Sequence, residues 1–187
     1  KDAAEFADIW KKSAEPISVG SAGVGGTTHI PLEVFAQTTG AKLLHVPYKG
    51  AAPVLSDVMN NQVGAFFGDL PGLIGHVRSG KLKALGILAK GRHPQIPDVK
   101  TMEEMGIQGV ENSNWYAVYA PAGTPADVIA KLNKAVRFAL ADEAVRRKLD
   151  DIGATVIASS PEELDRIRRA DAASMGAIIR AKGIKVD

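Results

Sequence analysis

The chain has 187 residues, 45% of them hydrophobic and 24% charged, with a formal net charge of +2. These values are typical of a globular protein and exclude the strong basic bias that a nucleic-acid or membrane-surface partner would favour. The sequence contains no cysteine, which excludes disulfide bonds and thiol chemistry. No apolar run approaches the roughly 20 residues of a membrane-spanning helix.

The first half of the chain alternates predicted helices and strands. Residues 3–14 predict an amphipathic helix rather than a signal peptide, and Pro16 ends it. Three later helices are predicted: one that ends at Gly40, one over 51–60 and one over 71–79. Strands are expected over 17–20, 43–48, 63–67 and 82–88. This alternation predicts an α/β fold with a parallel sheet and right-handed crossovers.

A glycine-rich loop, residues 20–28, joins the first strand to the next helix. Gly20, Gly23, Gly25 and Gly26 allow positive φ angles and a close approach of the backbone to a ligand. The free N–H groups and the dipole at a helix N-terminus suit an anion. The pattern therefore predicts an anion-binding loop at the carboxyl edge of the sheet, where the turns after the other strands also project. A tight strand–helix turn without a ligand is the alternative.

Three enzyme motifs are close to this loop, and each lacks a required group. Gly26 stands where a phosphate-binding loop needs its lysine. Thr28 breaks the dinucleotide-binding pattern, and no acid follows the second strand to hold a ribose. Val19 stands where the nucleophile elbow G-x-S-x-G needs its first glycine, before Ser21. The sequence therefore favours anion binding without chemistry.

The second half of the chain has fewer strands than helices. Residues 89–111, with several prolines and glycines, predict a connection between two bodies. Strands are expected over 114–120 and 155–158, and helices follow the capping boxes Thr124–Asp127 and Ser160–Glu163, with another helix over 142–153. Because two strands are marginal as a sheet, we expect this half to lean on the first or to pair with something outside this chain.

Several segments occur in the same order as in one known family. They are GSAGVGGTTH (20–29), HVPYKGAAPVLSDVMNNQVGAFFGDLP (45–71), HVRSGKLKALGI (76–87), PDVKTMEEMGI (97–107) and NWYAVYAPAGTP (114–125). With these segments the chain resembles, over nearly its whole length, the periplasmic solute receptors of tripartite tricarboxylate transporters, the Bug or TctC-like receptors.

The resemblance implies a periplasmic-binding-protein-like α/β fold with two lobes, in which helices flank parallel or mixed sheets. Residues 1–90 would form the complete second lobe, with its carboxylate loop at 20–28, and residues 91–110 would connect the lobes. Residues 111–187 would be the returning part of the first lobe. Family members carry a preceding N-terminal portion that builds most of the first lobe, so that lobe would be incomplete here.

The resemblance also implies a function. The protein would be a non-enzymatic periplasmic receptor that captures a small organic carboxylate, such as a dicarboxylate, a tricarboxylate, an acidic amino acid or an aromatic acid. It would deliver this ligand to the membrane subunits of the transporter. No cofactor, metal or nucleic acid is expected, and self-association could complete the first lobe.

The candidate ligand-binding residues surround the glycine-rich loop. They offer hydroxyl groups, backbone amides, an aromatic wall, and a carboxylate that could meet a cationic or hydroxyl group of the ligand. The residues are Ser21, Gly23, Gly25, Gly26, Thr27, Tyr48 and Asp69. His29, in the first turn of the following helix, fits packing better than ligand contact. The other histidines, His45, His76 and His93, are too dispersed in the pattern to predict a metal site.

Two alternatives stay open. The first is an α/β hydrolytic enzyme with Ser21 as nucleophile in a Ser21–His29–Asp69 triad, although the elbow that would expose the serine is missing. The second is a half-receptor that binds no ligand and acts through association.

Overall fold

The computed structural model describes residues 1–112 and 114–183. Two compact units divide the chain: one holds residues 1–114 and the segment from Ala177 onward, and the other is Trp115–Gly176. No helix within the described ranges is long and apolar enough to cross a membrane. The elements are α1 (Ala3–Lys12), β1 (Ile17–Ser21), α2 (Ile30–Thr39), β2 (Leu43–Pro47), α3 (Ala51–Met59), β3 (Ala65–Phe66), α4 (Leu70–Arg78), a 3-10 helix (Glu103–Met105), α5 (Ala126–Ala141), α6 (Glu143–Asp151) and α7 (Pro161–Lys182).

The first unit contains a parallel sheet of three strands in the order β2-β1-β3. Strand β1 pairs with β2 from Ile17 opposite Leu43 to Ser21 opposite Pro47, whereas β3 contributes only two residues to its ladder. The predicted parallel sheet is thereby confirmed. Because all three strands run the same way, the segments that follow them begin at one edge of the sheet.

The core of the first unit lies between α1, α2 and the sheet. Helix α1 buries Ala3, Ala7 and Trp10, whose spacing of four and three residues places them on one helix face. The indole of Trp10 meets the ring of Phe35 from α2 edge-on, with ring centroids 6.0 Å apart. This packing fixes α2, and with it the end of the glycine-rich loop.

The predicted strand over 82–88 is wrong. Within this segment only Ile87 forms a β-bridge, with Thr101, because the backbone carbonyls on either side of it accept hydrogen bonds from different segments. The carbonyl of Leu85 accepts from the amide of Ala3 at 2.8 Å, and that of Leu88 accepts from the amide of Asn112 at 2.8 Å. A backbone that bonds to several segments in turn cannot form a continuous ladder with one.

The predicted strands over 114–120 and 155–158 are also wrong, since both segments are irregular. Neither has a neighbouring strand among the described residues, and a strand needs a partner for its N–H and C=O groups. Tyr116, in the first of these segments, is 73% exposed. Ala158 has a left-handed φ of 52°, which interrupts any extended run there.

The second unit contains α5, α6 and most of α7. The serine half of the capping box predicted at Ser160 is confirmed, because the Ser160 hydroxyl accepts from the amide of Glu163 at 3.2 Å. The capping box predicted at Thr124 is wrong: its hydroxyl donates to the carbonyl of Pro121 at 2.8 Å, and Pro125 occupies the N-cap position of α5. The proline after Thr124 takes the place where a side-chain cap would act.

Candidate functional site

The candidate site is the loop between β1 and α2, residues 20–28, which we call the anion loop. It leaves the carboxyl end of β1 at Ser21, a fully buried residue, and returns through Thr28 and His29, which are 5% exposed. Both ends are therefore anchored in the first unit, while Val24, Gly26 and Thr27 between them are exposed. The predicted position of the loop at the edge of the sheet is confirmed by the parallel pairing of β1.

Side chains at the two ends of the anion loop hold three of its amides. The Ala22 amide donates to Thr28 Oγ1 at 2.9 Å, and the Gly23 amide donates to Ser21 Oγ at 3.3 Å. The Gly25 amide donates to His29 Nδ1 at 2.9 Å. Gly25 has a φ of 72°, a conformation that favours glycine. These contacts give the loop a defined shape.

The amides of Val24, Gly26 and Thr27 have no hydrogen-bond acceptor among the described residues. They belong to the exposed part of the loop, and the Thr27 carbonyl is held by Asn112 Nδ2 at 2.9 Å. Exposed amides on a loop that leads into a helix N-terminus can donate to an anion. The loop therefore offers three N–H donors that are not used in hydrogen bonds among the described residues.

Beneath the loop, two histidines and a glutamate form a cluster. The rings of His29 and His45 stack with centroids 3.8 Å apart and an interplanar angle of 12°. His45 Nε2 lies 2.6 Å from Ser21 Oγ, and His29 Nε2 lies 3.3 Å from Glu33 Oε1. Burial lowers the pKa of His45, and nearby His29 lowers it further, against an opposing effect of Glu33.

The cluster brings together three groups of the kind that bind metal ions. Ligand atoms of His29, Glu33 and His45 lie within 4.8 Å of one another. The hydrogen bonds oppose a metal, because His29 Nδ1 accepts from an amide and its proton must then occupy Nε2. In addition, the nearly parallel rings direct their in-plane lone pairs along separate planes rather than toward one point. The donor set does not fit a metal in this arrangement.

Two further predicted residues, Tyr48 and Asp69, lie just after β2 and β3. The Tyr48 hydroxyl donates to Asp57 Oδ2 at 2.7 Å, and this bond raises the pKa of the phenol. Asp69 occupies the N-cap position of α4, but its carboxylate does not bond the helix amides. It is half-buried, and no hydrogen bond or ion pair in the described part of the chain uses that carboxylate. Asp69 is therefore available to a ligand.

The histidine beside Ser21 differs from the one that the sequence suggested. The Ser21 hydroxyl contacts His45, whereas His29 bonds Gly25 and Glu33, so the Ser21–His29 part of the triad hypothesis is wrong. Sequence reasoning missed His45, Thr28 and Asn112. A signal for His45 existed in the sequence. His45 lies two residues from both Leu43 and Pro47 on β2, and residues two apart on a strand share a face.

The chain matches one protein family over nearly its whole length. The model of the tripartite tricarboxylate transporter family receptor matches residues 1–184. BugT of Bordetella pertussis is 33% identical over 163 residues, which are 87% of this chain and 50% of that protein. The chain thus spans about half the length of the curated relatives that it matches.

Three solved structures are similar to this chain over nearly its whole length. Rpa4515 of Rhodopseudomonas palustris, solved with adipate, has a TM-score of 0.92 at 28% identity, and the match covers all of this chain and 62% of that one. The periplasmic binding protein BugD has a TM-score of 0.89 at 31% identity, covering 100% and 63%. MatC of the same Rhodopseudomonas species, with bound malate, has a TM-score of 0.83 at 30% identity, covering 96% and 62%. The chain therefore has a periplasmic-binding-protein fold with an incomplete lobe, and it belongs to the family of tripartite tricarboxylate transporter receptors.

Proposed function

We propose that this chain is the ligand-binding portion of a periplasmic receptor, and that it captures a small organic carboxylate for a tripartite transporter. The observation that carries the proposal is a set of three loop amides, on the exposed residues Val24, Gly26 and Thr27, which have no acceptor within the described residues. Family membership supports it, as do the related receptors with adipate and malate.

Within this proposal the predicted residues divide by role. Ser21, Gly23 and Gly25 shape the loop, since their polar groups bond within it. Gly26 and Thr27 contact the carboxylate, through their amides and the Thr27 hydroxyl. Tyr48 is a wall, with its ring beside Gly20, where a Cβ would lie 3.5 Å from Tyr48 Cε2.

Asp69 would select among carboxylates. A half-buried carboxylate repels a second negative charge, but it accepts a hydrogen bond from a hydroxyl or ammonium group of the ligand. Malate and aspartate carry such a donor and adipate does not. We therefore expect the chain to bind malate or aspartate more tightly than adipate.

Thermal unfolding against a panel of carboxylates tests the proposal. A ligand at 100 times its dissociation constant adds about 2.7 kcal/mol to the free energy of unfolding, which raises the midpoint by several degrees. A selective rise with one class of acid supports carboxylate capture by this chain. A cooperative transition that no acid displaces contradicts it, and favours instead a half-receptor that acts through association.

Two substitutions locate the site once a ligand is found. Thr27→Val removes the hydroxyl but keeps the amide, and should weaken binding roughly threefold to tenfold; Thr38→Val, at an exposed position of α2, is the matched control. Asp69→Asn should reduce the preference for malate over adipate. Unchanged affinity and selectivity in both variants would place the ligand elsewhere.

One observation favours a second candidate function, hydrolysis with Ser21 as nucleophile. Its Oγ lies 2.6 Å from His45 Nε2, a distance suited to proton transfer. Ser21 is fully buried, however, and the loop provides no elbow that presents it to a substrate. Turnover of an ester panel that disappears in both Ser21→Ala and His45→Gln would establish the enzyme; absence of turnover in the parent chain dismisses it.

The transporter partner and self-association are also proposals. A carboxylate receptor of this family would dock on the membrane subunits, and a chain with half the length of its relatives could pair with a second copy. Sedimentation at several concentrations distinguishes these cases. A monomer that binds carboxylate supports the receptor, whereas a dimer that does not bind supports association as its role.

A further inference from the structure

His29 links the anion loop to helix α2 through both of its ring nitrogens. It is 5% exposed. Its Nδ1 accepts from the Gly25 amide at 2.9 Å, and its Nε2 faces Glu33 Oε1 at 3.3 Å. The residue that it holds, Gly25, lies between the exposed amides of Val24 and Gly26. The orientation of those two donors therefore depends directly on the contact between His29 and Gly25.

The two contacts of His29 assign its proton. A nitrogen that accepts from an amide has no hydrogen, so the neutral ring carries its proton on Nε2. That proton points at the Glu33 carboxylate, which accepts it. A second proton, on Nδ1, would face the Gly25 N–H and abolish the hydrogen bond. The loop contact thus requires neutral His29.

The ring stacked on His29 opposes a positive charge on the pair. His45 lies 3.8 Å from it, centroid to centroid, so charges on both rings would repel strongly. Burial lowers the pKa of His45, and the neighbouring His29 lowers it further. The titratable groups that face His29 are Glu33 on α2 and His45 on β2.

We propose that His29 is the positioning residue of the anion loop: its neutral, Nε2-protonated form fixes the Gly25 amide and aims the neighbouring amides, and protonation releases them. Carboxylate affinity then decreases as the pH is lowered through the range in which histidines titrate. This inference rests on the proposed function for its ligand, but its hydrogen bond can be measured without one.

The first arm of the test uses the ligand-free chain. Long-range ¹H–¹⁵N correlation spectra report which nitrogen of His29 carries the proton, and hydrogen exchange reports protection of the Gly25 amide. His29→Asn places an amide oxygen near the Nδ1 position and cannot titrate, whereas His29→Gln moves its polar group to the Nε2 position. We expect the Nε2–H tautomer, protection of Gly25 kept in His29→Asn, and exchange about tenfold faster in His29→Gln, as the loss of one hydrogen bond predicts.

The second arm measures binding of malate and adipate to the parent chain and both variants from about pH 8 to about pH 6, so that protonation of the acids themselves affects all three proteins alike. The parent chain should lose affinity as the pH falls, by at most about tenfold per pH unit for a single proton. His29→Asn should bind with little dependence on pH, and His29→Gln should bind weakly throughout.

Each result decides a separate question. An Nδ1–H tautomer of His29, or a Gly25 amide in His29→Gln protected as in the parent chain, overturns the positioning role. Equal pH profiles for the parent chain and His29→Asn overturn the coupling to protonation. If neither these two acids nor any other acid of the carboxylate panel binds at any pH while the exchange results hold, the proposed function fails and the loop contact stands.

Discussion

Gly20 of β1 lies so close to Val54 of α3 that a Cβ on Gly20 would fall 2.1 Å from Val54 Cγ2. Val54 is fully buried, so it has no free space into which it can move. The missing side chain lets α3 approach the strand immediately before the anion loop. Gly20 is therefore required by packing, in addition to any part in ligand binding.

Gly20→Ala should lower the free energy of unfolding by about 1–3 kcal/mol, the usual cost of overpacking a core. Val54→Ala should be destabilising alone, because it removes buried methyl groups. In the double variant the two side chains no longer collide, so the loss should be smaller than the sum of the single losses. Urea denaturation of the four proteins measures this coupling.

The matched control is Gly75→Ala, in the middle of α4, where an added Cβ meets nothing within 4 Å. Alanine should stabilise the helix there by about 0.5–1 kcal/mol. If Gly20→Ala proved as harmless as Gly75→Ala, the close packing of α3 on β1 would be contradicted.

The sequence predicted the strands that pair and overpredicted those that do not. Periodicity identified β1 and β2 and their parallel direction, because alternating helices and strands leave few topologies. Residues 82–88 and 114–120 are as apolar as true strands, yet an apolar run specifies burial rather than a hydrogen-bonding partner. For 82–88 the backbone bonds to several other segments in turn, which local sequence cannot reveal.

The anion loop was predictable and the cluster below it was not. Glycine spacing before a helix signals a backbone built for close approach, and this required no knowledge of tertiary contacts. The contact of Ser21 with His45 joins residues 24 positions apart. It depends on the register that sets Ser21 opposite Pro47, and a shift of one residue would turn the imidazole to the other face.

The stability of the first unit should fall as the pH drops below about 6.5, partly through His45. Burial lowers the pKa of His45 in the folded chain below its ordinary value of 6.5, so the unfolded chain binds this proton more readily. Stability is then complete above the unfolded pKa and is lost as the pH falls through the folded pKa. Denaturant unfolding from about pH 8 to about pH 5 measures the slope.

His45→Gln isolates that contribution. Glutamine can place an amide nitrogen near the position of Nε2 and bond Ser21 Oγ, but it does not titrate in this range. Its stability should depend less on pH than that of the parent chain, even if loss of the stacked ring lowers stability overall. Parallel pH profiles for the two proteins would show that His45 does not contribute.

A capping box closes the start of the 3-10 helix and should depress one carboxyl pKa. The Thr101 amide donates to Glu104 Oε2 at 2.8 Å, and the Glu104 amide donates to Thr101 Oγ1 at 3.1 Å. Arg92 Nε also donates to Glu104, at 2.9 Å. Together these donors lower the pKa of Glu104 to about 2.

NMR titration of the side-chain carboxyl carbon should find this low pKa, and Arg92→Ala should raise it because its largest cause is removed. Since the folded pKa lies below the unfolded value of 4.5, the associated stability is present above pH 4.5 and is lost as the pH falls toward 2. Both side chains are 41% exposed, so added salt should weaken the effect. An Arg92→Ala titration identical to that of the parent chain would contradict this pairing.

Trp10 should tolerate phenylalanine far better than alanine. Its side chain is 1% exposed, and its indole Nε1 has no hydrogen-bond partner among the described residues. Trp10→Phe removes that costly buried donor while it keeps an aromatic ring against Phe35, so the two effects partly cancel. Trp10→Ala leaves a cavity and should cost about 3–5 kcal/mol. Denaturant unfolding of both variants decides the matter, and equal losses would mean that the indole nitrogen is satisfied in solution, for instance by a buried water.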